Sequence, residues 1–182
     1  MRITAGVHRS RTLKTLKSDH TRPTSDKIRQ AIFSKVGPFF QEGSFLDVFC
    51  GTGAMGLEAL SRGMDRVLAF ENHGPAAAII NENVKLLKEE KNFKLMRGDA
   101  QNLIQKDNGL FDIVFMDPPY AYKDFDFMIS LIVKHAVHDD SIIIVESDSQ
   151  HTLKESYSKF TCTQEKVYGH TKLCYFEVCE DE

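Results

Sequence analysis

The chain has 182 residues, a formal net charge of −3, 42% hydrophobic residues and 27% charged residues. This length and balance predict one soluble globular domain with a core of ordinary size. No apolar run is long enough to span a membrane, and the first residues contain no apolar signal-peptide core, so we expect a cytoplasmic protein. The four cysteines have no Cys-x-x-Cys spacing, which argues against zinc and redox motifs.

The first 35 residues are strongly basic, with nine Lys or Arg against two Asp. Their pattern predicts short strands at 2–5 and 12–16 around a polar turn, then a helix that begins near Ser25 and stops at Gly37-Pro38. We interpret residues 1–36 as a basic hairpin-and-helix extension, within the same domain as a core at 37–182. A basic arm suggests a polyanionic partner, but a solvated surface segment would give the same charge count.

From residue 44 onward, predicted strands and helices alternate. Short apolar runs predict five strands, at 44–49, 66–70, 93–96, 111–116 and 141–146. The helices predicted between them cover 54–62, 75–88, 99–105 and 125–136. The last segments, 160–168 and 171–178, are typical of a hairpin around Gly169. Such alternation predicts a parallel sheet with helices on both faces, whose ligands bind at the carboxyl ends of the strands.

A glycine-rich turn follows the first of these strands. Gly51, Gly53 and Gly56 form a Gly-x-Gly-x-x-Gly pattern, and Glu71 ends the next strand. The pattern predicts a cofactor whose ribose hydroxyls bind Glu71, and it fits a nicotinamide dinucleotide and S-adenosylmethionine equally. Asp47 favours S-adenosylmethionine, because a second carboxylate would repel a pyrophosphate but suit an ammonium and a sulfonium. A tight strand–helix turn without a ligand is the simpler alternative.

Two roles fit Asp99, which follows the third predicted strand. Its carboxylate is placed to accept a hydrogen bond from an adenine amino group. Asp is also a favoured N-cap residue, so Asp99 could simply begin the next helix. The sequence leaves both roles open, and they are compatible.

The tetrapeptide Asp117-Pro118-Pro119-Tyr120 ends the fourth strand and carries the predicted chemistry. An exocyclic amine of a base is a weak nucleophile, because its lone pair is delocalised into the ring. The Asp117 carboxylate and the Pro118 carbonyl can accept hydrogen bonds from such an amine and aim its lone pair at a sulfonium methyl group. Tyr120 offers a flat face on which an extruded base can stack. The alternative is a stiff turn with a capping Asp and a surface Tyr.

Nearly the whole chain resembles the RsmD-type 16S ribosomal RNA methyltransferases, which act on the 2-amino group of a guanine. The matching segments are Met1-Arg2-Ile3-Thr4-Ala5-Gly6, Arg9-Ser10-Arg11-Thr12-Leu13-Lys14, Thr21-Arg22-Pro23-Thr24-Ser25-Asp26, Gly51-Thr52-Gly53-Ala54, 56–63, Asp117-Pro118-Pro119-Tyr120 and Tyr168-Gly169-His170-Thr171. The arm around Arg22-Pro23-Thr24 is the part specific to this family. The resemblance implies an α/β, Rossmann-like class I fold with a seven-stranded, mostly parallel sheet and an antiparallel last strand.

The resemblance also implies S-adenosylmethionine as cofactor, no metal, and 16S ribosomal RNA or a partly assembled small subunit as substrate. We further expect a monomer with no membrane partner. The residues expected at the cofactor are Asp47, Phe49, Gly51, Thr52, Gly53, Glu71, Asn72, Asp99 and Ala100. Those expected to contact RNA are Arg2, Arg9, Arg11, Lys14, Arg22, Pro23 and Thr24. The expected catalytic residues are Asp117, Pro118 and Tyr120.

Three other functions fit parts of the pattern. A DNA adenine methyltransferase uses similar residues, but it usually carries a target-recognition domain for which this chain has no room. A nicotinamide-dependent oxidoreductase would need a substrate domain and a proton donor, and no His or Tyr is convincingly placed for that role. A non-catalytic RNA-binding assembly factor would not need the intact Asp47 and Asp117.

Overall fold

One mixed sheet, covered by helices on both faces, organises the protein. The computed structural model describes residues 1–16 and 24–179. The strands are β1 Ser44–Asp47, β2 Arg66–Glu71, β3 Phe93–Arg97, β4 Phe111–Met116, β5 Val137–Asp148, β6 Ser156–Tyr157, β7 Phe160–Tyr168 and β8 Thr171–Val178. Their order across the sheet is β3-β2-β1-β4-β5-β8-β7-β6.

Strands β1 to β5 are parallel, whereas β8 is antiparallel to both β5 and β7. The predicted Rossmann-like fold class is therefore confirmed, including its antiparallel last strand. The described sheet has eight strands rather than seven, because β6 adds a two-residue strand that is too short to leave a hydrophobic pattern.

The described residues form five helices, of which the first precedes β1 and the other four connect the parallel strands, and their ends follow local rules. They are α1 Asp26–Val36, α2 Ala54–Ser61, α3 Gly74–Leu87, α4 Ala100–Leu103 and α5 Phe125–His135. The Ser25 hydroxyl accepts a hydrogen bond from the Ile28 amide at the start of α1, and Gly37 ends that helix with a φ of 143°. None of the helices in the described ranges is both long and apolar enough to cross a membrane.

Two apolar layers hold the sheet between these helices. On one face, α1, α2 and α3 pack through side chains such as Ile32, Leu57 and Ile80. On the other face, α4 and α5 pack through side chains such as Leu103 and Met128. Alternate residues of each strand point to opposite layers. A polar residue at the end of a strand therefore points to the same face of the sheet as the apolar residue two positions before it.

The predicted N-terminal hairpin is present but shorter than expected, with one antiparallel bridge between Arg2 and Thr12 flanked by the Ile3–Arg11 and Leu13–Met1 backbone hydrogen bonds. Four amide groups of residues 4–8 are directed to α2. Glu58 accepts hydrogen bonds from the Thr4 and Ala5 amides, the Ser61 carbonyl accepts one from the Val7 amide, and the Ser61 hydroxyl accepts one from the His8 amide. Residues 1–16, called the arm below, therefore pack onto α2, and the Ile3 and Leu13 side chains join the layer that α1 to α3 form.

Candidate active site

Acidic side chains line the carboxyl edge of the parallel strands. Asp47 ends β1, Glu71 ends β2, Asp117 directly follows β4, and Glu146 lies near the end of β5. The residues two positions before them belong to the layer that α1 to α3 cover. The alternation of a strand therefore places all four carboxylates on that same face. The structure thus brings Asp47, Glu71 and Asp117 together, as predicted, and adds Glu146, which sequence reasoning missed.

The glycine-rich turn between β1 and α2 forms a cradle beside this row of acids. Gly51 and Gly53 have φ values of 58° and 79°, in the left-handed region that favours glycine. A Cβ at Gly51 would meet no atom within 4 Å, so the turn presents open backbone on that side. A Cβ at Gly56 would lie 2.7 Å from Val67, so this glycine lets α2 pack close to β2.

Asp47 is a buried acid whose hydrogen bonds are incomplete. Its side chain is buried, and within the described ranges its Oδ1 atom has no hydrogen-bond partner. Burial, followed by the nearby Glu71 carboxylate, raises the pKa of Asp47 to about 8, although the Phe49 backbone amide opposes the shift. A buried acceptor without a partner is costly, so a cationic donor at this position would bind favourably.

Glu71 is held in place by two backbone amides. The Gly51 amide donates to Oε2 at 2.9 Å, and the His73 amide donates to Oε1 at 2.8 Å. These bonds connect the end of β2 to the glycine-rich turn and fix the carboxylate. Each oxygen keeps a lone pair that can accept a hydrogen bond from a ribose hydroxyl.

The remaining residues expected at the cofactor surround the same edge. Phe49 packs against Tyr122, with ring centroids 5.1 Å apart, and the Thr52 carbonyl accepts from the Asn83 amide group. Asp99 is the N-cap of α4 and accepts from the Asn102 amide at 3.1 Å, so its capping role is present. The neighbouring Ala100 is buried, and Asn72 is exposed.

The tetrapeptide after β4 turns sharply out of the sheet. Pro118 is buried and Pro119 is exposed, while Tyr120 presents 97% of its surface to solvent. Asp117 remains in the site, where burial and then the charges of Glu146 and Asp47 raise its pKa well above the usual range. The result is an inward carboxylate beside an exposed aromatic ring.

A threonine from the N-terminal region reaches into this site. The Thr24 hydroxyl lies 3.4 Å from Asp117 Oδ2 and 3.3 Å from Glu146 Oε2. Its hydrogen bonds lower the pKa of both carboxylates, but burial dominates and raises the pKa of Glu146 to about 7. Thr24, expected at the RNA, therefore touches the proposed catalytic acid directly.

The basic side chains of the arm rest on nearby helices. Arg2 pairs with Asp26 at 3.5 Å, Lys14 pairs with Glu82 at 2.7 Å, and Arg11 donates to the Leu86 carbonyl at 3.2 Å. Arg9 is exposed. The other two residues expected at the RNA, Arg22 and Pro23, lie outside the described ranges.

The comparisons with known proteins agree with this architecture. A family model described as Conserved hypothetical protein 95 matches residues 1–177. The ribosomal RNA small subunit methyltransferase D of Haemophilus influenzae is 31% identical over 173 residues, which cover 93% of this chain and 89% of that protein. The Escherichia coli protein of the same name is 30% identical over 170 residues, which cover 93% and 85%.

A solved structure described as a conserved hypothetical protein of Streptococcus pyogenes is also similar. It has a TM-score of 0.77 and 34% identity, and the match covers 82% of this chain and 94% of that chain. The fold of this chain is therefore similar to that of the solved Streptococcus pyogenes structure over most of both chains.

The chemistry of the sheet edge fits the methyl donor that a methyltransferase requires. S-adenosylmethionine carries an ammonium, a sulfonium and a ribose diol, and it has no phosphate. The unpaired oxygen of Asp47 suits a cation, Glu71 suits the ribose hydroxyls, and the open face at Gly51 allows close approach. S-adenosylmethionine is the cofactor of this methyltransferase. Because the family model spans residues 1–177, the chain belongs to the Conserved hypothetical protein 95 family, the family of the small-subunit ribosomal RNA methyltransferases D.

Proposed function

We propose that the chain methylates the exocyclic 2-amino group of a guanine in 16S ribosomal RNA, on a partly assembled small subunit. The observation that carries this proposal is the position of Asp117. Its half-buried carboxylate follows β4 beside Asp47 and Glu146, and Pro118 supplies a carbonyl next to it in the chain. Two acceptors at one sheet edge are what an aromatic amine needs to be oriented for attack. The exposed ring of Tyr120 gives an extruded base a surface on which to stack.

The raised pKa of Asp117 determines when this residue can act. In the free protein, burial and neighbouring acids favour its protonated form. A cationic cofactor beside these acids favours the carboxylate, which can then accept a hydrogen bond from the amine. S-adenosylmethionine supplies an electrophilic methyl group on a positively charged sulfur.

The proton leaves the amine after the methyl group arrives. The new nitrogen–carbon bond places a positive charge on the nitrogen, which makes its hydrogens acidic. At the same time the sulfonium charge is lost, so the proton affinity of the Asp117 carboxylate rises again. Asp117 is then the acceptor for the released proton, which it passes to water. This order avoids the removal of a proton from a neutral amine, which is a very weak acid.

The basic arm is proposed to hold RNA phosphates. Arg2, Arg9, Arg11 and Lys14 are all exposed, and two buried groups anchor the arm that carries them. Glu58 accepts from the Thr4 and Ala5 amides, and the buried Arg29 donates to the Arg2 carbonyl at 2.6 Å. We propose that residues 1–36 form part of the same domain as the core at 37–182.

A methyl-transfer assay tests the proposed function. Small subunits, naked 16S ribosomal RNA and double-stranded DNA are each incubated with labelled S-adenosylmethionine and the wild-type protein, and the products are digested to nucleosides. We expect N2-methylguanosine in the ribosomal RNA, with the highest rate on a partly assembled subunit. Label in DNA adenine, or in another position of the RNA base, would overturn the proposal.

A further inference from the structure

Glu146 is level with Asp117 at the carboxyl edge of the sheet. The parallel register of β4 and β5 pairs Met116 with Val145, so the next residues of the two strands are adjacent. Neighbouring strands lie about 4.8 Å apart, which puts the two side chains within reach of one small ligand. Both face the layer in which Phe115 and Ile144 are buried. The active site therefore contains a second acid directly beside the proposed catalytic one.

The Glu146 carboxylate has unused capacity to accept hydrogen bonds. Its side chain is 9% exposed, and Thr24 is the one side-chain hydrogen-bond donor to it within residues 1–16 and 24–179. That single hydroxyl is shared with Asp117. No ion pair of Glu146 with a basic side chain occurs in the same described part of the chain. A buried carboxylate in this state gains from any ligand that offers N–H donors.

The Watson–Crick edge of guanine offers such donors. The ring N1–H and the 2-amino group are adjacent on that edge, whereas adenine and cytosine present an unprotonated ring nitrogen next to their exocyclic amine. Two neighbouring acids can therefore bind the two neighbouring groups of guanine. Asp117 faces the amine, which leaves Glu146 for the ring N–H.

We propose that Glu146 is the specificity-determining residue that accepts a hydrogen bond from the guanine N1–H. This inference rests on the proposed function, in which guanine is the substrate. This contact excludes adenine, because a carboxylate opposite the lone pair of adenine N1 is repelled. It also fixes the rotation of the base in its plane, so that the 2-amino group lies against Asp117. No proton moves through Glu146 during the reaction, and the residue binds the base without entering the methyl-transfer step.

Base analogues test this assignment separately from the reaction itself. After the methylated position is mapped with the wild-type protein, small subunits are reconstituted from ligated 16S ribosomal RNA with guanosine or 2,6-diaminopurine at that position. Both bases keep the 2-amino group, but diaminopurine has a lone pair at N1. We expect the wild-type kcat/KM to favour guanine by about 10- to 100-fold, as for a hydrogen bond to a charged group.

The Glu146→Gln variant should lose this preference or reverse it, because the glutamine amide can donate to the lone pair of diaminopurine N1. Its affinity for S-adenosylmethionine, measured by calorimetry, should stay at the wild-type value and thus report a folded site. Asp148→Asn, which changes an exposed acid of the same strand, is the matched control and should keep the wild-type preference.

Two results would overturn the assignment. One is a wild-type protein that methylates both bases equally, and the other is a Glu146→Gln variant with an unchanged ratio between them. The proposed function fails by a different result, the absence of N2-methylguanosine from the wild-type reaction. The two failures are therefore distinguishable.

Discussion

The Thr24 hydroxyl lies 3.4 Å from Asp117 Oδ2, which joins the N-terminal region to the proposed catalytic acid. The fully buried Arg29 stabilises the position of Thr24. Its guanidinium donates to the Thr24 carbonyl at 3.4 Å and to the Arg2 carbonyl at 2.6 Å, and it pairs with Glu58. Arg29 therefore connects both Arg2 and Thr24 to Glu58 of helix α2.

Removal of the Thr24 hydroxyl should weaken catalysis modestly. Thr24→Val keeps the shape of the side chain but removes the hydrogen bonds that lower the pKa of Asp117 and Glu146. Both pKa values should rise, so the acidic limb of the kcat profile should move to higher pH, with a rate loss near neutrality of about 5- to 10-fold. Thr24→Ser, which keeps the hydroxyl, is the control and should retain the wild-type profile. Coincident profiles for Val and wild type would show that the contact has no role in catalysis.

Asp47 should destabilise the free protein at neutral pH. Its pKa is about 8 in the fold against 3.8 for the ordinary group, so the folded state binds the proton more tightly than the unfolded state. The free energy of unfolding should therefore fall as pH rises from about 4 to about 8 through this group. Asp47→Asn should stabilise the cofactor-free protein near pH 8 by at least about 1 kcal/mol and have little effect near pH 4.

Urea unfolding at the two pH values measures this difference. Asp107→Asn, at an exposed loop position, serves as control for the loss of one acid and should leave the pH dependence unchanged. The same Asp47→Asn variant should bind S-adenosylmethionine more weakly, because a neutral amide replaces the acceptor for its ammonium. If the free energy of unfolding of Asp47→Asn equalled that of the wild type at both pH values, Asp47 would not destabilise the free protein.

Local sequence patterns predicted the parallel part of the fold, because the apolar runs and turn residues that indicate each strand or helix lie within it or next to it. The Asp117 tetrapeptide and the turn at Gly51 could be predicted for the same reason, since each is a short contiguous motif. Glu146 was missed because it ends an apolar strand without any motif of its own. It becomes recognisable only when the register places it level with Asp117.

The N-terminal hairpin is shorter than predicted for the opposite reason. Its strand pattern is real, but the Thr4 and Ala5 amides bond to Glu58, more than fifty residues away in the chain. Glu58 of α2 thereby binds the chain directly after the bridge, where the predicted strand would have continued. A contact of this range leaves no trace in the spacing of nearby residues, so only the folded structure reveals it.

Glu71 should determine affinity for the cofactor. Glu71→Ala removes a carboxylate that two amides hold toward the cradle, and S-adenosylmethionine binding should weaken by about 1.5–3 kcal/mol, the usual range for a hydrogen bond to a charged group. Calorimetric titration of the purified variant measures the change. Glu90→Ala, at an exposed position after α3, should bind as the wild type does. Unchanged affinity in a folded Glu71→Ala protein would exclude Glu71 from the cofactor site.

The arm should determine how RNA binding depends on salt. Replacement of Arg9 and Arg11 by Ala should reduce the slope of log K against log salt by about one to two, because fewer counterions are released from the phosphates. S-adenosylmethionine affinity should not change. Lys91→Ala with Lys94→Ala, an equal loss of charge at exposed positions just before and within β3, should keep the wild-type slope. An unchanged slope for the arm variant would mean that these arginines belong to a solvated surface.

Asp117 should act on the chemical step rather than on cofactor binding. Asp117→Ala removes the acceptor that orients the amine and takes its proton, and the loss of one preorganised polar group at a reacting centre costs about 100- to 1000-fold in rate. Single-turnover experiments on the small subunit isolate this step from product release. Cofactor affinity should change little, since Asp47 and Glu71 remain. Asp124→Ala, which changes an exposed acid before α5, is the control for the loss of a nearby charge.

Asp117→Asn separates the two roles of this residue. Its amide oxygen still accepts a hydrogen bond, so orientation of the amine is partly kept, but the side chain cannot take the proton that the methylated nitrogen releases. We therefore expect a rate between those of Ala and wild type, without the acidic limb that ionisation of Asp117 gives the wild-type pH profile. If the Asn and Ala variants were equally slow, proton acceptance would dominate. A wild-type rate for Asp117→Ala would exclude the tetrapeptide after β4 as the catalytic centre.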